Sequence, residues 1–210
     1  MKNSKNWYNN VSFCHAEPRL AGEAGCFSIQ YVMQPIVKIP SSVLSTPVKP
    51  VISFDKKLTR IISDMKAALI HATNPKGVGL AAPQVGIPLQ LFLTRPTEKD
   101  AIRVFINPII LSRDPPQPDA DKTHQLEGCL SIPGVWGTVN RSPKLTLRFQ
   151  DEKGATHEET IAGFLATIIQ HEMDHLQGVL FTQRVLEQKN KFYQATTDEK
   201  GKEILEEVVI

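Results

Sequence analysis

Gln170-His171-Glu172-Met173-Asp174-His175-Leu176-Gln177-Gly178 is the stretch around which the rest of the chain is organised. It contains H-E-x-x-H, two histidines four residues apart with a glutamate directly after the first. On a helix, residues four apart stand one turn above each other on the same face. Two imidazoles so placed can grip one metal ion, and Glu172 is left beside the position open to water. The bland reading is a surface helix carrying two solvated histidines. The flanking residues argue against it, because Phe164, Thr167, Ile168, His171 and His175 share one stripe, so the ligand face continues an apolar one. Such a helix is expected to be buried, to begin near Ala162 or Gly163 and to run to about Leu176. Gly178 then stands where a left-handed C-terminal cap belongs.

A catalytic site of this type needs a third protein ligand and one open position. A metzincin would place a histidine ten residues after the first, and that position is Phe181. A thermolysin-like site would use a downstream glutamate. Glu187, Glu203 and Glu206 are formally available, although nothing around them looks like a helix carrying a metal ligand. The third candidate is Cys129, whose soft thiolate has high affinity for first-row metals. Glycine and serine flank it in Glu127-Gly128-Cys129-Leu130-Ser131, which suits a turn better than a core position. Gly77-Val78-Gly79-Leu80-Ala81-Ala82-Pro83-Gln84 lacks the third glycine and following helix of a dinucleotide loop and the Lys-Ser/Thr pair of a phosphate loop. Its glycines are expected to let the backbone approach another group closely, and Gln84 is a candidate donor to a developing oxyanion.

Composition narrows the field. A chain of 210 residues with ordinary apolar and charged fractions suits one domain with a full core. A formal charge of +2 and a pI near 8.4 offer no reason to invoke a nucleic-acid or membrane partner. No run approaches the length of a membrane span. Three cysteines imply no disulfide framework and point to a reducing compartment. Residues 1–32 are small, polar and scattered in pattern, without the features of a secretory signal or a mitochondrial presequence. They are expected to be a disordered extension or a misassigned start, with the true start near Met33 and a single catalytic domain over 33–210.

Elsewhere, proline punctuates Gln34–Val51 into short extended pieces. Asp55 offers an N-cap to a helix carrying Leu58, Ile61, Ile62, Met65 and Leu69, which Asn74-Pro75 stops. Strands are expected over Leu89–Thr94, Ile102–Ile106 (ended by Asn107-Pro108), Lys144–Gln150 and Thr156–Ile161. Arg113 to His124 reads as a surface loop. The tail, with Ile204, Leu205, Val208 and Val209, is compatible with a strand or a helical turn.

Three stretches taken together carry a resemblance. G-V-G-L-A-A-P-Q at 77–84, E-G-C-L-S at 127–131 and Q-H-E-M-D-H-L-Q-G at 170–178 resemble, in this order, the signature motifs of the peptide deformylases. The likeness extends from about Gln34 to Val185 and includes I-V-x-x-P at 36–40, Asn107-Pro108 and Val139-x-Arg141, while Thr167 stands where many members have arginine. It implies an α+β fold in which antiparallel β-sheets pack around a central metal-binding helix carrying HExxH. It implies an enzyme that removes the formyl group from the N-formylmethionine of nascent polypeptides and releases formate.

In that reading Cys129, His171 and His175 hold one divalent metal, Fe2+ by family habit, with Zn2+, Ni2+ or Co2+ as substitutes. Glu172 handles the protons, and the Gln84 side chain and Leu130 backbone N–H meet the oxyanion. Backbone around Gly79 pairs with the extended peptide. A methionine pocket is lined by Phe164, Thr167, Ile168 and His171, and a Glu127–Arg141 pair orients the cysteine turn. The implied setting is a cytoplasmic monomer acting on N-formylmethionyl chains at the ribosome, with no membrane or direct nucleic-acid site. From Arg184 onward five Lys/Arg face six Asp/Glu, which argues against docking through a basic tail. A general metalloprotease and a non-enzymatic module with four closed ligands are the competing readings.

Overall fold

The computed structural model describes residues 35–73, 75–116, 126–197 and 203–208, all within one of the two units into which the chain divides, 34–210. The expectation for residues 1–32 lies outside the described residues. Helix α1 (Lys56–His71) forms where its apolar spacing demands one. The Asp55 carboxylate accepts the Leu58 N–H at 2.9 Å, and Leu58, Ile62, Met65, Ala68 and Leu69 are buried along one face. The helix ends at His71, short of Pro75.

The larger sheet joins β1 (Gly79–Ala81), β2 (Leu91–Thr94), β3 (Arg103–Arg113), β6 (Lys144–Gln150) and β7 (Thr156–Ala162) in that order, every neighbour antiparallel. Its two faces are covered by different helices. Leu91, Leu93, Val104 and Ile106 pack with α1, whereas Phe92, Phe105, Leu145, Leu147 and Phe149 pack with α2 (Phe164–Leu176). A central strand enclosed on both sides reads as an unbroken apolar run, which is why Leu91-Phe92-Leu93 does not alternate. The smaller sheet, β4 (Leu126–Cys129), β5 (Ile132–Thr138), β8 (Phe192–Thr197) and β9 (Glu203–Val208), is antiparallel throughout. Its core of Cys129, Ile132, Val139 and Phe192 is closed by Phe181 and Val185 of α3 (Phe181–Glu187). Antiparallel sheets set around α2 make this the α+β architecture that the motifs imply.

Several expectations need correction. Asn107-Pro108 does not end β3; the strand runs on to Arg113. A register shift between Ile106 and Ile109 takes up the pair, with Asn107 at φ +49°. A bulge leaves residues unpaired, so the missing proline N–H costs no ladder bond. The Asn107 side chain meanwhile ties down Val51, accepting its N–H and donating to its carbonyl, both at 2.8 Å. Beyond Arg113 only Asp114–Pro116 of the expected loop are described. Helix α2 begins at Phe164 because Gly163, at φ +66° and ψ −147°, is in a non-helical conformation that glycine adopts readily. The tail forms a strand, β9, paired with β8. Around Glu187 the chain does form a helix, α3, but the Glu187 carboxylate is engaged by Arg184 at 2.9 Å and is not in the donor cluster.

The C-terminus of α2 is closed by a Schellman turn. Gly178 donates to the His175 carbonyl at 3.1 Å and Val179 to that of Asp174 at 2.9 Å, with Gly178 at φ +72°. A Cβ at Gly178 would come within 2.7 Å of the Ser45 and Thr46 backbone. Gly178→Ala is therefore expected to cost about 2–3 kcal/mol, lowering the thermal midpoint by roughly 5–10 °C. Gly134→Ala is the control, since Gly134 has φ +76° but open space around it. Equal losses in the two variants would show that the backbone crossing at Ser45–Thr46 contributes nothing.

Candidate metal centre and active site

Three elements converge on one point. Helix α2 brings His171, Glu172 and His175, and a short 3-10 helix at Ala82–Val85 after β1 brings Gln84. Cys129 is the last residue of β4, 2% exposed and packed in the smaller sheet's core, not in a turn as its flanking glycine and serine suggest. The donor atoms of Cys129, His171 and His175 all lie within 4.8 Å of one another. Cys129 Sγ and His175 Nε2 are 3.2 Å apart, and both residues are buried. His171 turns its Nδ1 to the Glu127 carboxylate at 2.7 Å, which leaves Nε2 to face the cluster. A closely spaced thiol and two imidazoles, with no fourth protein ligand in the cluster among the described residues, suit a divalent transition metal with an open position.

Electrostatics favour the same assignment. Burial pushes the Cys129 thiol up, but His175 and His171 outweigh it and hold the thiol well below its ordinary value. Burial opposes a charge on His171 as well, and Cys129 with Glu127 outweighs that, holding its pKa well above the usual imidazole range. Both shifts favour a thiolate beside a positive charge, the setting that a bound cation would share. Glu127 is itself buried, which raises its pKa, yet the Arg141 guanidinium holds it down at about 2. Arg141 grips Glu127 with two N–H groups, at 2.7 and 2.9 Å, so the expected pair is present and its fork is bidentate.

Glu172 stands apart from this network. Its Oε2 is buried without a hydrogen-bond partner, and Oε1 lies against the backbone of Gly79. Burial raises its pKa to about 7, with the two histidines pulling the other way. A carboxyl poised near neutrality, with one oxygen free of partners, is equipped to take up and return a proton. Gln84 is oriented by the Ala81 N–H, which donates to its Oε1 at 2.8 Å. The NH2 end therefore faces the cluster, with Nε2 3.4 Å from Cys129 Sγ and from Ser131 Oγ. Leu130 follows the cysteine in the turn, and its carbonyl accepts from the Lys38 ammonium.

A cavity of about 240 Å³ opens beside the cluster. Phe164, Thr167, Ile168 and His171 line it from α2 as the spacing predicts, with Gly79, Gln84, Leu130 and Glu172 on the facing walls. Phe164 is 46% exposed and stands at the mouth. Trp136 of β5 completes the wall, its ring so close over Gly128 that a Cβ there would meet it at 2.9 Å. Nothing in the sequence pattern singled out Trp136. Phe181, the residue at the metzincin ligand position, instead stacks on the His171 ring with centroids 6.0 Å apart. Asp174 and Arg184 also escaped the sequence reading. Asp174 meets Arg141 at 2.7 Å from one side and Arg184 at 2.7 Å from the other.

Comparison with known proteins agrees with this geometry. The family model described as polypeptide deformylase matches residues 33–191. Peptide deformylase 1 of Bacillus cereus is 43% identical over 150 residues, 71% of this chain and 90% of that protein. The peptide deformylase of Chromobacterium violaceum is 40% identical over 157 residues, 74% and 89% of the two chains. Among solved structures, a peptide deformylase from Legionella pneumophila superposes with a TM-score of 0.66 at 37% identity, covering 73% of this chain and 86% of that one. The Synechococcus elongatus peptide deformylase in complex with actinonin gives 0.64 at 39% identity, covering 72% and 80%. A match that starts before the first strand and ends beyond α3 spans every residue of the cluster. The chain accordingly belongs to the polypeptide deformylase family, metal-dependent hydrolases that remove the formyl group from N-terminal formylmethionine.

Proposed function

We propose that Cys129, His171 and His175 hold one divalent ion, Fe2+ by preference, and that Glu172, Gln84 and Leu130 carry out deformylation beside it. The observation that carries this reading is the Cys129–His171–His175 triangle, with Glu172 and its partnerless Oε2 next to it in the same cavity. A divalent ion in that triangle supplies Lewis acidity, acidifying water and polarising the formyl carbonyl. Glu172 takes the proton of the attacking water and delivers it to the methionine nitrogen as the C–N bond breaks, so formate and a free amine leave. The Gln84 NH2 and the Leu130 backbone N–H face the negative oxygen as it develops.

Substrate is held mainly through its backbone. Strand β1 ends the larger sheet, and an extended formylmethionyl peptide adds to its free edge near Gly79. The methionine side chain enters the cavity between Phe164, Thr167, Ile168 and His171. The substrates are nascent chains at the ribosome, met by a cytoplasmic monomer whose catalytic domain is 33–210. No described helix is long and apolar enough to cross a membrane. The thiolate-containing ligand set also accepts Zn2+, Ni2+ or Co2+.

Protein purified without oxygen and loaded with Fe2+ is expected to release one formate per free amine from formyl-Met-Ala-Ser, with one metal per chain. Exposure to air should abolish turnover, because ferrous iron beside a thiolate is oxidisable. Cleavage of an internal peptide bond, or metal-loaded protein that releases no formate, would overturn the assignment.

A further inference from the structure

We infer that Arg184 and Asp174 are positioning residues of the metal centre, acting on His171 through Arg141 and Glu127. The inference rests on His171 being a metal ligand, as proposed above.

Four charged side chains form an unbroken line from the surface to the site. Arg184 Nη2 lies 2.7 Å from Asp174 Oδ1, Asp174 Oδ2 lies 2.7 Å from Arg141 Nη1, and Arg141 forks onto Glu127, whose Oε2 meets His171 Nδ1 at 2.7 Å. Glu127, Arg141 and Asp174 are all buried, and only Arg184 has substantial contact with water, its side chain 29% exposed. Arg141 is thus shared between two carboxylates of opposite consequence. Its hold on Glu127 aims the imidazole of His171, whereas its hold on Asp174 draws the guanidinium away from that fork. Arg184 contacts both Asp174 oxygens through Nε and Nη2, so it satisfies the competitor and leaves Arg141 to Glu127.

The same short helix makes a second contact with the ligand. Phe181, three residues before Arg184, stacks on the His171 ring. Helix α3 therefore acts on His171 from two sides, through the ring face and through Nδ1. Buried Val185 anchors α3 in the core of the smaller sheet independently of Arg184, so removing the guanidinium leaves that packing in place.

Arg184→Met and Arg184→Lys test the line, read out by the visible spectrum of the Co2+ protein and by the rate of Co2+ loss to a chelator. Partners that touch a ligand directly, as Glu127 does, are worth about 10–100-fold in metal affinity, so Arg184, three links further out, should change Co2+ loss about three- to tenfold. Arg184→Met is expected to lose Co2+ that much faster with displaced ligand-field bands, and Arg184→Lys, which keeps the charge without the fork, to fall between it and the unchanged protein. If both variants match the unchanged protein in spectrum and Co2+ loss, whatever their thermal midpoints, the inference is overturned. If the unchanged protein gives no thiolate-to-cobalt absorption, the metal assignment itself fails, and this inference with it.

Discussion

Replacing Glu172 by glutamine is expected to lower kcat for formate release by about three orders of magnitude while leaving one metal per chain. Glutamine keeps the size of the side chain and its contact with Gly79 but cannot take up a proton. The prediction separates Glu172 from its neighbours in the motif. His171 and His175 belong to the donor cluster, whereas Glu172 has one oxygen buried without a partner and a pKa that burial raises to about 7. Removing such a group costs the proton-transfer step and spares the ion, so metal content and rate must be measured on the same sample. A Glu172→Gln protein that keeps its metal and turns over within tenfold of the original rate would show that the proton passes elsewhere.

Gly79→Ala should be nearly as damaging although it removes no functional group. A Cβ at position 79 would lie 2.2 Å from Glu172 Oε1 and 2.9 Å from the Ile168 side chain, so the carboxylate must move by about an ångström. A displacement of that size at a reacting group costs on the order of a hundredfold in kcat. The effect should vanish in combination. In a Glu172→Gln background, Gly79→Ala is expected to add less than about tenfold, because residues acting as one unit are strongly non-additive. A full additional hundredfold would mean that the glycine serves substrate backbone alone.

How far the sequence carried the reading varied with the range of the signal. The α2 histidines were legible because a four-residue spacing has one meaning on a helix. Cys129 was legible by its thiol chemistry, but not its place at the buried end of β4, which depends on the distant residues packed over it. Asp55 and Gly178 were legible as caps for the same local reason. Strand β3 was cut short at Asn107-Pro108, because the bulge that accommodates the pair is defined by its partner strand and by Val51, more than 50 residues away in sequence. Helix α3 was missed because it is seven residues long and starts without a side-chain N-cap. The one available cue was Gln183, whose Oε1 accepts the Leu180 N–H at 3.0 Å in half of a capping box. Missing α3 also hid Arg184, so the Asp174 end of the charged line could not be seen. Trp136 was invisible for a different reason. Gly134 and Gly137 interrupt the alternation of β5, so no period marks which side of the strand faces the cavity.

Strand β1 is only three residues long and lies at the border of its sheet. All three of its residues are buried, yet a border strand is usually a hazard, since it can recruit any extended chain. If an extended substrate adds at β1 as proposed above, that indiscriminate stickiness becomes the useful property. Every polypeptide offers the same pattern of amide and carbonyl groups whatever its side chains, so a main-chain ladder treats all clients alike. The brevity of β1 would keep such a ladder weak and favour quick departure of the processed chain. Selection is thereby left to one end group and one side chain, the parts that all newly initiated chains have in common.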